Sequence, residues 1–255
     1  MKAAVTGAGG RMGRTLIEAI EADGGLTLSA ALEAEGSPAL GTQVGRVRIT
    51  SDVAAAVAAS EVLIDFTRPE GTMKHLEACL RQSRALVIGT TGFSEAQLKS
   101  VREAAKKIPV CLSPNFAVGV NVLFKAAEAA ARALGADYDV EIIEAHHRHK
   151  VDAPSGTALK LGEIVAAALG KKEFVHGRKG DTGERPGGQI AFHAIRGGDI
   201  VGEHTVLFAG LGERLELTVR SQSRMTYASG AVRAAKWLGK RAPGLYDMFD
   251  VLGLK

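Results

Sequence analysis

Reactive side chains are densest between Glu144 and Ala158, where the chain reads EAHHRHKVDAPSGTA. His146, His147, Arg148, His149 and Lys150 are consecutive and all basic or potentially basic. Three readings of this cluster compete. The imidazoles could bind a metal, but metal ligands must be deprotonated, and Arg148 and Lys150 alongside would repel a cation. A solvated basic loop needs no ligand at all. A site for an anion draws support from the residues that follow. Pro154 and Gly156 shape a turn, Ser155 and Thr157 carry hydroxyls, and the free N–H groups at the start of an apolar helix form a cradle for a carboxylate or phosphate. A cationic cluster followed by such a cradle suits a small substrate with more than one negative charge, and no metal is assigned.

A second set of residues suits a dinucleotide. GAGGRMG spans Gly7–Gly13 between an apparent strand and an apparent helix, so Gly7, Ala8, Gly9, Gly10, Arg11 and Met12 form a tight turn at a helix N-terminus. The spacing is G-x-x-G-x-x-G, and a glycine turn alone serves equally well as plain architecture. Its place in the first strand-turn-helix and the acid Glu33 at the end of the second strand strengthen the binding reading, since a carboxylate there accepts hydrogen bonds from a ribose diol. DFTRPEG (Asp65–Gly71), IGTTGF (with Gly89, Thr90 and Thr91) and SPNF (Ser113, Pro114, Asn115, Phe116) each follow a strand-like run. Small and hydroxylated residues at strand carboxyl ends line the crevice of an open α/β sheet, although each stretch is also ordinary turn chemistry.

These residues need elements to hold them. Strand-like AAVTG, LTLSAAL, EVLIDFT, ALVIGTT and PVCLSPNF alternate with helical GRTLIEAIEA, GTMKHLEACLRQ and SEAQLKSVREAAKK, the last with Ser94 as N-cap and Gln97 behind it. Such alternation predicts a doubly wound parallel sheet with helices on both faces. Past Asn115 come a long helix over Val118–Leu134, the strand DVEIIEAHH and a helix over Thr157–Leu169. Lys171–Gly188 is polar and glycine-rich and reads as a mobile loop. QIAFHAIR, EHTVLFAG and RLELTVRSQS then follow at short intervals, which favours antiparallel pairing in an α+β domain. The tail YASGAVRAAKWLGKRA is helical.

Bulk properties set limits. The chain has 255 residues, 46% hydrophobic and 24% charged, as in an ordinary soluble protein with room for two modest domains. Lys and Arg total 32 against 28 acids, a net +4 too small to indicate nucleic acid but suited to small anionic ligands. Cys79 and Cys111 lie in apolar runs and read as buried reduced thiols. No run is long enough to span a membrane and no secretory leader precedes the glycine turn, so a cytoplasmic protein is expected.

The long basic stretch resembles the signature of the 4-hydroxy-tetrahydrodipicolinate (dihydrodipicolinate) reductase family. GAGGRMG, DFTRPEG, IGTTGF, NFAVGVN, GDIVGEHTVLF and SRMTYASGAVRAA resemble the same family in the same order, along essentially the whole chain. SPNF differs from the family forms in its first two residues. The resemblance implies a Rossmann-like NAD(P)H-binding domain, residues 1–117 completed by 226–255. It also implies a substrate-binding and oligomerisation domain over 118–225 with a mostly antiparallel sheet, and a homotetramer. It makes His146 and Lys150 the catalytic pair, and His147, Gly156 and Thr157 substrate contacts. Gly7–Met12, Glu33, Gly89–Thr91 and Ser113–Phe116 become cofactor contacts. The implied reaction is reduction of a cyclic dicarboxylate with loss of water, in lysine and diaminopimelate biosynthesis. A histidine near neutral pKa suits proton delivery and a lysine suits charge stabilisation, which casts His146 as general acid and Lys150 as cation. Glu33 favours NADH, and Ala34 stands where members of the family that use both cofactors often carry an arginine. Arg11 partly compensates, so NADH is preferred and NADPH also accepted.

Overall fold

Along the strand Lys2–Thr6 (β1), Ala3 and Val5 face one hydrophobic core and Ala4 faces another. That period-two split recurs in the neighbouring strands and makes the first sheet a layer buried on both sides. The computed structural model describes residues 1–170 and 173–255. They form two compact units, Met1–Val118 with Arg224–Lys255, and Gly119–Ser223. The first runs through α1 (Arg11–Asp23), β2 (Thr27–Leu32), β3 (Gln43–Val44), β4 (Val47–Thr50), α2 (Val53–Ala58), β5 (Val62–Asp65), α3 (Pro69–Arg81), β6 (Ala85–Ile88), α4 (Glu95–Ala105) and β7 (Pro109–Leu112). Helix α1 buries Leu16, Ile17 and Ile20 at helical spacing and stops at Gly24 in a left-handed conformation. Helix α4 begins with the expected capping box between Ser94 and Gln97. The β3–β4 hairpin and α2 were not foreseen. Their residues are few, and neither carries a long periodic pattern.

In the second unit, α5 (Val118–Leu134, its first residue belonging to the first unit) leads to β8 (Asp139–His146), α6 (Gly156–Leu169), β9 (Glu173–His176), β10 (Gln189–Arg196), β11 (Gly202–Ala209) and β12 (Arg214–Ser221). The strand order is β12-β11-β8-β10-β9. β11 runs antiparallel to β8 and β12, and these pairings supply the larger share of the sheet's residue pairs. The expectation that QIAFHAIR also joins an antiparallel run needs correction. β10 does not pair with β11 but runs parallel to β8, because α6 crosses between β8 and β10 and returns the chain in the same direction. A second correction concerns Lys171–Gly188. Lys171 and Lys172 lie outside the described residues, and Glu173–His176 forms the edge strand β9, parallel to β10. Phe174 and His176 pack on Phe192, an anchoring that the polar composition concealed. The remaining loop is pinned, since Arg178 and Arg185 both donate to Glu141 on β8.

The segment after β12 contains α7 (Met225–Leu238), β13 (Gly244–Tyr246) and α8 (Met248–Leu252) and packs within the first unit. Ala228, Ala231, Ala234 and Ala235 of α7 share a core with Leu16 and Ile20 of α1, the small residues permitting close approach. The first sheet has the order β13-β7-β6-β5-β1-β2-β4-β3, parallel except for β3–β4. The chain leaves β1 towards β2 and β4, then returns to β5, β6 and β7 on the other side. This doubly wound order places a crevice at the carboxyl ends of β1 and β5. No helix among the described residues is long and apolar enough to cross a membrane.

Candidate active site

In the first unit the strand order gathers the turns after β1, β2, β5, β6 and β7 along one sheet edge. Gly7 has φ +63°, a left-handed conformation that starts the turn. A Cβ at Gly13 would lie 2.0 Å from the Gly7 carbonyl oxygen, so strand and helix approach too closely for a side chain there. Gly10 caps α1 without a side chain, and no acid occupies the first helical turn, which leaves the positive end of the helix open to an anion. Arg11 is exposed beside it, Met12 is half-buried and Ala8 is buried.

Glu33, directly after β2, reaches this turn. Its Oε2 accepts from the Gly9 N–H at 2.9 Å and its Oε1 from the Ala34 N–H at 3.0 Å. An ionised carboxylate has about four acceptor positions, so both oxygens keep capacity for a diol. Gly89 follows β6 and donates its N–H to the Asp65 carbonyl. Thr90 is buried and its hydroxyl oxygen accepts from the Thr67 N–H, while Thr91 is exposed. After β7, the Ser113 hydroxyl donates to the Asn115 carbonyl and Pro114 is exposed. The Phe116 ring lies in the core, 5.3 Å from the Phe66 ring, so only its backbone remains for a ligand.

The crevice floor holds a cluster that sequence reasoning missed. The buried Asp65 carboxylate accepts from the Thr6 hydroxyl, the Thr67 N–H and hydroxyl, and pairs with His75 Nδ1 at 2.7 Å. Burial pushes the Asp65 carboxyl up, but these partners outweigh it and hold it below its usual range. The sequence signal was present in an Asp at a strand end and a His one helical face away, yet nothing in the spacing tied them.

In the second unit, β8 points Val140, Ile142, Glu144 and His146 to the face covered by α6. His146 Nδ1 lies 2.6 Å from Glu144 Oε2. The Glu144 side chain is fully buried and also receives a bidentate Arg196 at 2.8 and 2.7 Å and the Ser155 N–H at 3.1 Å. Thus His146 and the first turn of α6 meet on one carboxylate. The His204 ring from β11 stands edge-on at 5.1 Å from His146, and burial lowers the His204 pKa to about 4. Burial also lowers His146 below the usual imidazole value, with Glu144 opposing the drop and Lys150 and Arg196 adding to it. Lys150 folds back after the strand, donates its N–H to the His147 carbonyl and pairs with Asp152 at 2.8 Å. His147 Nδ1 is buried without a hydrogen-bond partner among the described residues, as are Arg196 Nε and His204 Nδ1 nearby.

Ser155 caps α6 by accepting from the Ala158 N–H, and a Cβ at the exposed Gly156 would meet nothing within 4 Å, so the cradle is open. Thr157 is half-buried in the first turn. The His147 and His149 rings lie 6.2 Å apart, and no group of three His, Cys, Asp or Glu is arranged around a metal position among the described residues. Arg196 and His204 were missed from the sequence because they reach Glu144 and His146 only through the strand register, whereas Glu144 lies two residues before His146 and strand alternation alone puts both on one face.

Comparison with known proteins adds the following. Residues 1–116 match the family described as "Dihydrodipicolinate reductase, N-terminus" and residues 119–252 its "C-terminus". The chain is 55% identical to the 4-hydroxy-tetrahydrodipicolinate reductase of Thiobacillus denitrificans, covering 100% of this chain and 99% of that one. It is 54% identical to the enzyme of the same name from Laribacter hongkongensis, at 100% and 99% coverage. Among solved structures, a dipicolinate-bound dihydrodipicolinate reductase from Paenisporosarcina sp. TG-14 superposes with a TM-score of 0.82 at 27% identity, covering 98% of each chain.

Proposed function

The chain belongs to the dihydrodipicolinate reductase family, and from that premise we propose how its own residues carry the family's reaction. It is an NAD(P)H-dependent oxidoreductase that reduces 4-hydroxy-tetrahydrodipicolinate in lysine and diaminopimelate biosynthesis. The residues of the first unit fit a dinucleotide. The Gly7–Gly13 turn leads into a helix start with no side-chain cap and no acid in its first turn, and Glu33 borders it with acceptor capacity to spare. Gly7–Met12 and the helix start would hold the pyrophosphate, Glu33 the ribose diol, and the turns Gly89–Thr91 and Ser113–Phe116 the remainder. The bound cofactor supplies a hydride.

The second unit binds the dicarboxylate. One carboxylate fits the α6 cradle at Gly156 and Thr157, and the other the Lys150 ammonium with His147 as a hydrogen-bond donor. One hydride and one proton enter and one water leaves: the 4-hydroxyl departs as water with a proton from the neighbouring ring carbon, the hydride takes the C4 position, electron density moves towards the ring nitrogen, and a proton returned to that neighbouring carbon neutralises it. His146 delivers the proton, a contribution of about 10²–10⁴-fold. Lys150 stabilises the developing charge. In the free site burial holds His146 below its usual pKa, and a dianion beside it favours the charged imidazolium, so substrate binding itself arms the acid. The single observation that carries the assignment is the convergence of His146 and the Ser155 N–H on buried Glu144, which fixes the proton source against the cradle.

NADH is preferred over NADPH, since the Glu33 carboxylate would repel a 2′-phosphate and Ala34 offers it no cation. The enzyme is a cytoplasmic homotetramer. Cys79 and Cys111 are buried free thiols, which suits a reducing compartment. The sheet face of the second unit opposite α6 carries Ile143, Leu207 and half-exposed Ile195 among the polar Glu141, His193 and Thr205, a mixed surface for sister subunits. The test of the reaction feeds aspartate semialdehyde and pyruvate through the upstream synthase and follows reduced-nicotinamide absorbance. Consumption only when both precursors and the synthase are present is expected. Equal consumption of unrelated imines or oxo acids would overturn the substrate assignment.

A further inference from the structure

We infer that Glu144 is a positioning residue that fixes the tautomer of His146 and locks the acid to the substrate cradle. The inference rests on the proposed role of His146 as general acid. Arg196 bonds both Glu144 oxygens, so the carboxylate stays ionised and accepts only. His146 Nδ1, 2.6 Å from Oε2, must therefore carry a hydrogen in every protonation state. The exchangeable proton is then confined to Nε2. In the transfer step the Nε2–H bond of the imidazolium breaks, its electron pair stays on Nε2, and the proton passes to the reacting ring. The Nδ1–H bond to Glu144 persists throughout. The other oxygen of the same carboxylate accepts from the Ser155 N–H, so one side chain holds both the His146 ring and the first turn of α6.

Among the described residues, the charged or titratable groups that act on or stand against His146 belong to this arrangement. Glu144 lies on its own strand, Arg196 on β10, His204 on β11, and Lys150, paired with Asp152, in the following loop. Arg196 also donates to the Asp152 carbonyl at 2.6 Å, which ties that loop to the same clamp. His204 stays neutral beside the acid and supplies no competing charge. Of the groups that act on His146, Glu144 favours its protonated form, whereas Lys150 and Arg196 disfavour it.

The test compares Glu144→Gln, His146→Gln and the double variant across pH, with NADH binding measured in parallel. Gln keeps the shape and an acceptor but not the charge. Glu144→Gln is expected to reduce kcat/KM about tenfold or more at pH 7.5 and much less at pH 5.5, because the alkaline limb moves to lower pH when the imidazolium loses its counter-charge. NADH affinity should stay within about twofold, and the change should add nothing in the His146→Gln background. A uniform loss at every pH, or a full extra loss in the double variant, would show a merely structural role and overturn the inference. Wild-type turnover in His146→Gln would instead strike the reading of His146 as the acid. If Glu144→Gln does not fold, ¹⁵N-histidine NMR of the wild-type protein decides. The neutral His146 ring should be the Nδ1–H tautomer, and an Nε2–H tautomer would refute the positioning role.

Discussion

Glu33 shows how much one side chain settles in the first unit. Its two oxygens hold the Gly9 and Ala34 N–H groups, so the carboxylate is oriented before any ligand arrives. A 2′-phosphate would meet that fixed negative charge, and the exposed neighbour is Ala34. Replacing Ala34 with Arg should improve NADPH use by about 1–3 kcal/mol if a charge-assisted contact forms, narrowing the proposed preference for NADH. Steady-state kcat/KM with both cofactors checks this. Better use of NADPH by the unmodified protein would mean that Arg11 governs the phosphate position. At this scale the sequence displayed the basic run and the helix start plainly, because those residues are consecutive. It hid Glu144 with Arg196, which are 52 residues apart and become partners only when β8 and β10 align.

At the scale of elements, the glycine turn and the second sheet make separate demands. A Cβ on residue 13 would collide with the Gly7 backbone carbonyl, which no rotamer can relieve. Gly13→Ala should therefore cost about 1–3 kcal/mol of stability and weaken NADH binding at least about tenfold, read by thermal unfolding and fluorescence titration. Unchanged affinity would show that the turn does not form the cofactor seat. In the second sheet, burial pushes the Glu141 carboxyl up, but bonds from Arg178, His193 and Arg185 outweigh it and hold the pKa at about 2. A depressed carboxyl pKa stabilises the fold above the ordinary value of 4.5, and that gain is lost as pH falls from there towards about 2. The wild-type melting temperature should drop between pH 5 and pH 3, and Glu141→Gln should flatten that drop. Parallel curves would deny Glu141 the role. Helical and capping signals were legible because they are local, as at Ser94 with Gln97. The pairing of β10 was not, since a short link after it suggested a hairpin while the α6 crossover before it dictated a parallel neighbour. β9 was obscured by the polar residues around it.

At the scale of the molecule, the proposed reading divides the labour between the two units: the first would carry the dinucleotide residues and the second the proton source and the dicarboxylate cradle. The proposed assembly uses the open face of the second sheet; sedimentation at micromolar concentration should give a tetramer, whereas a stable monomer would contradict the proposal. The division of labour itself is tested most directly by Lys150→Ala and His146→Gln, assayed for turnover and for NADH binding in the same preparations. Both variants should lose at least about two orders of magnitude in turnover while NADH affinity stays within about twofold. Wild-type turnover in both, or loss of NADH binding in step with turnover, would contradict it.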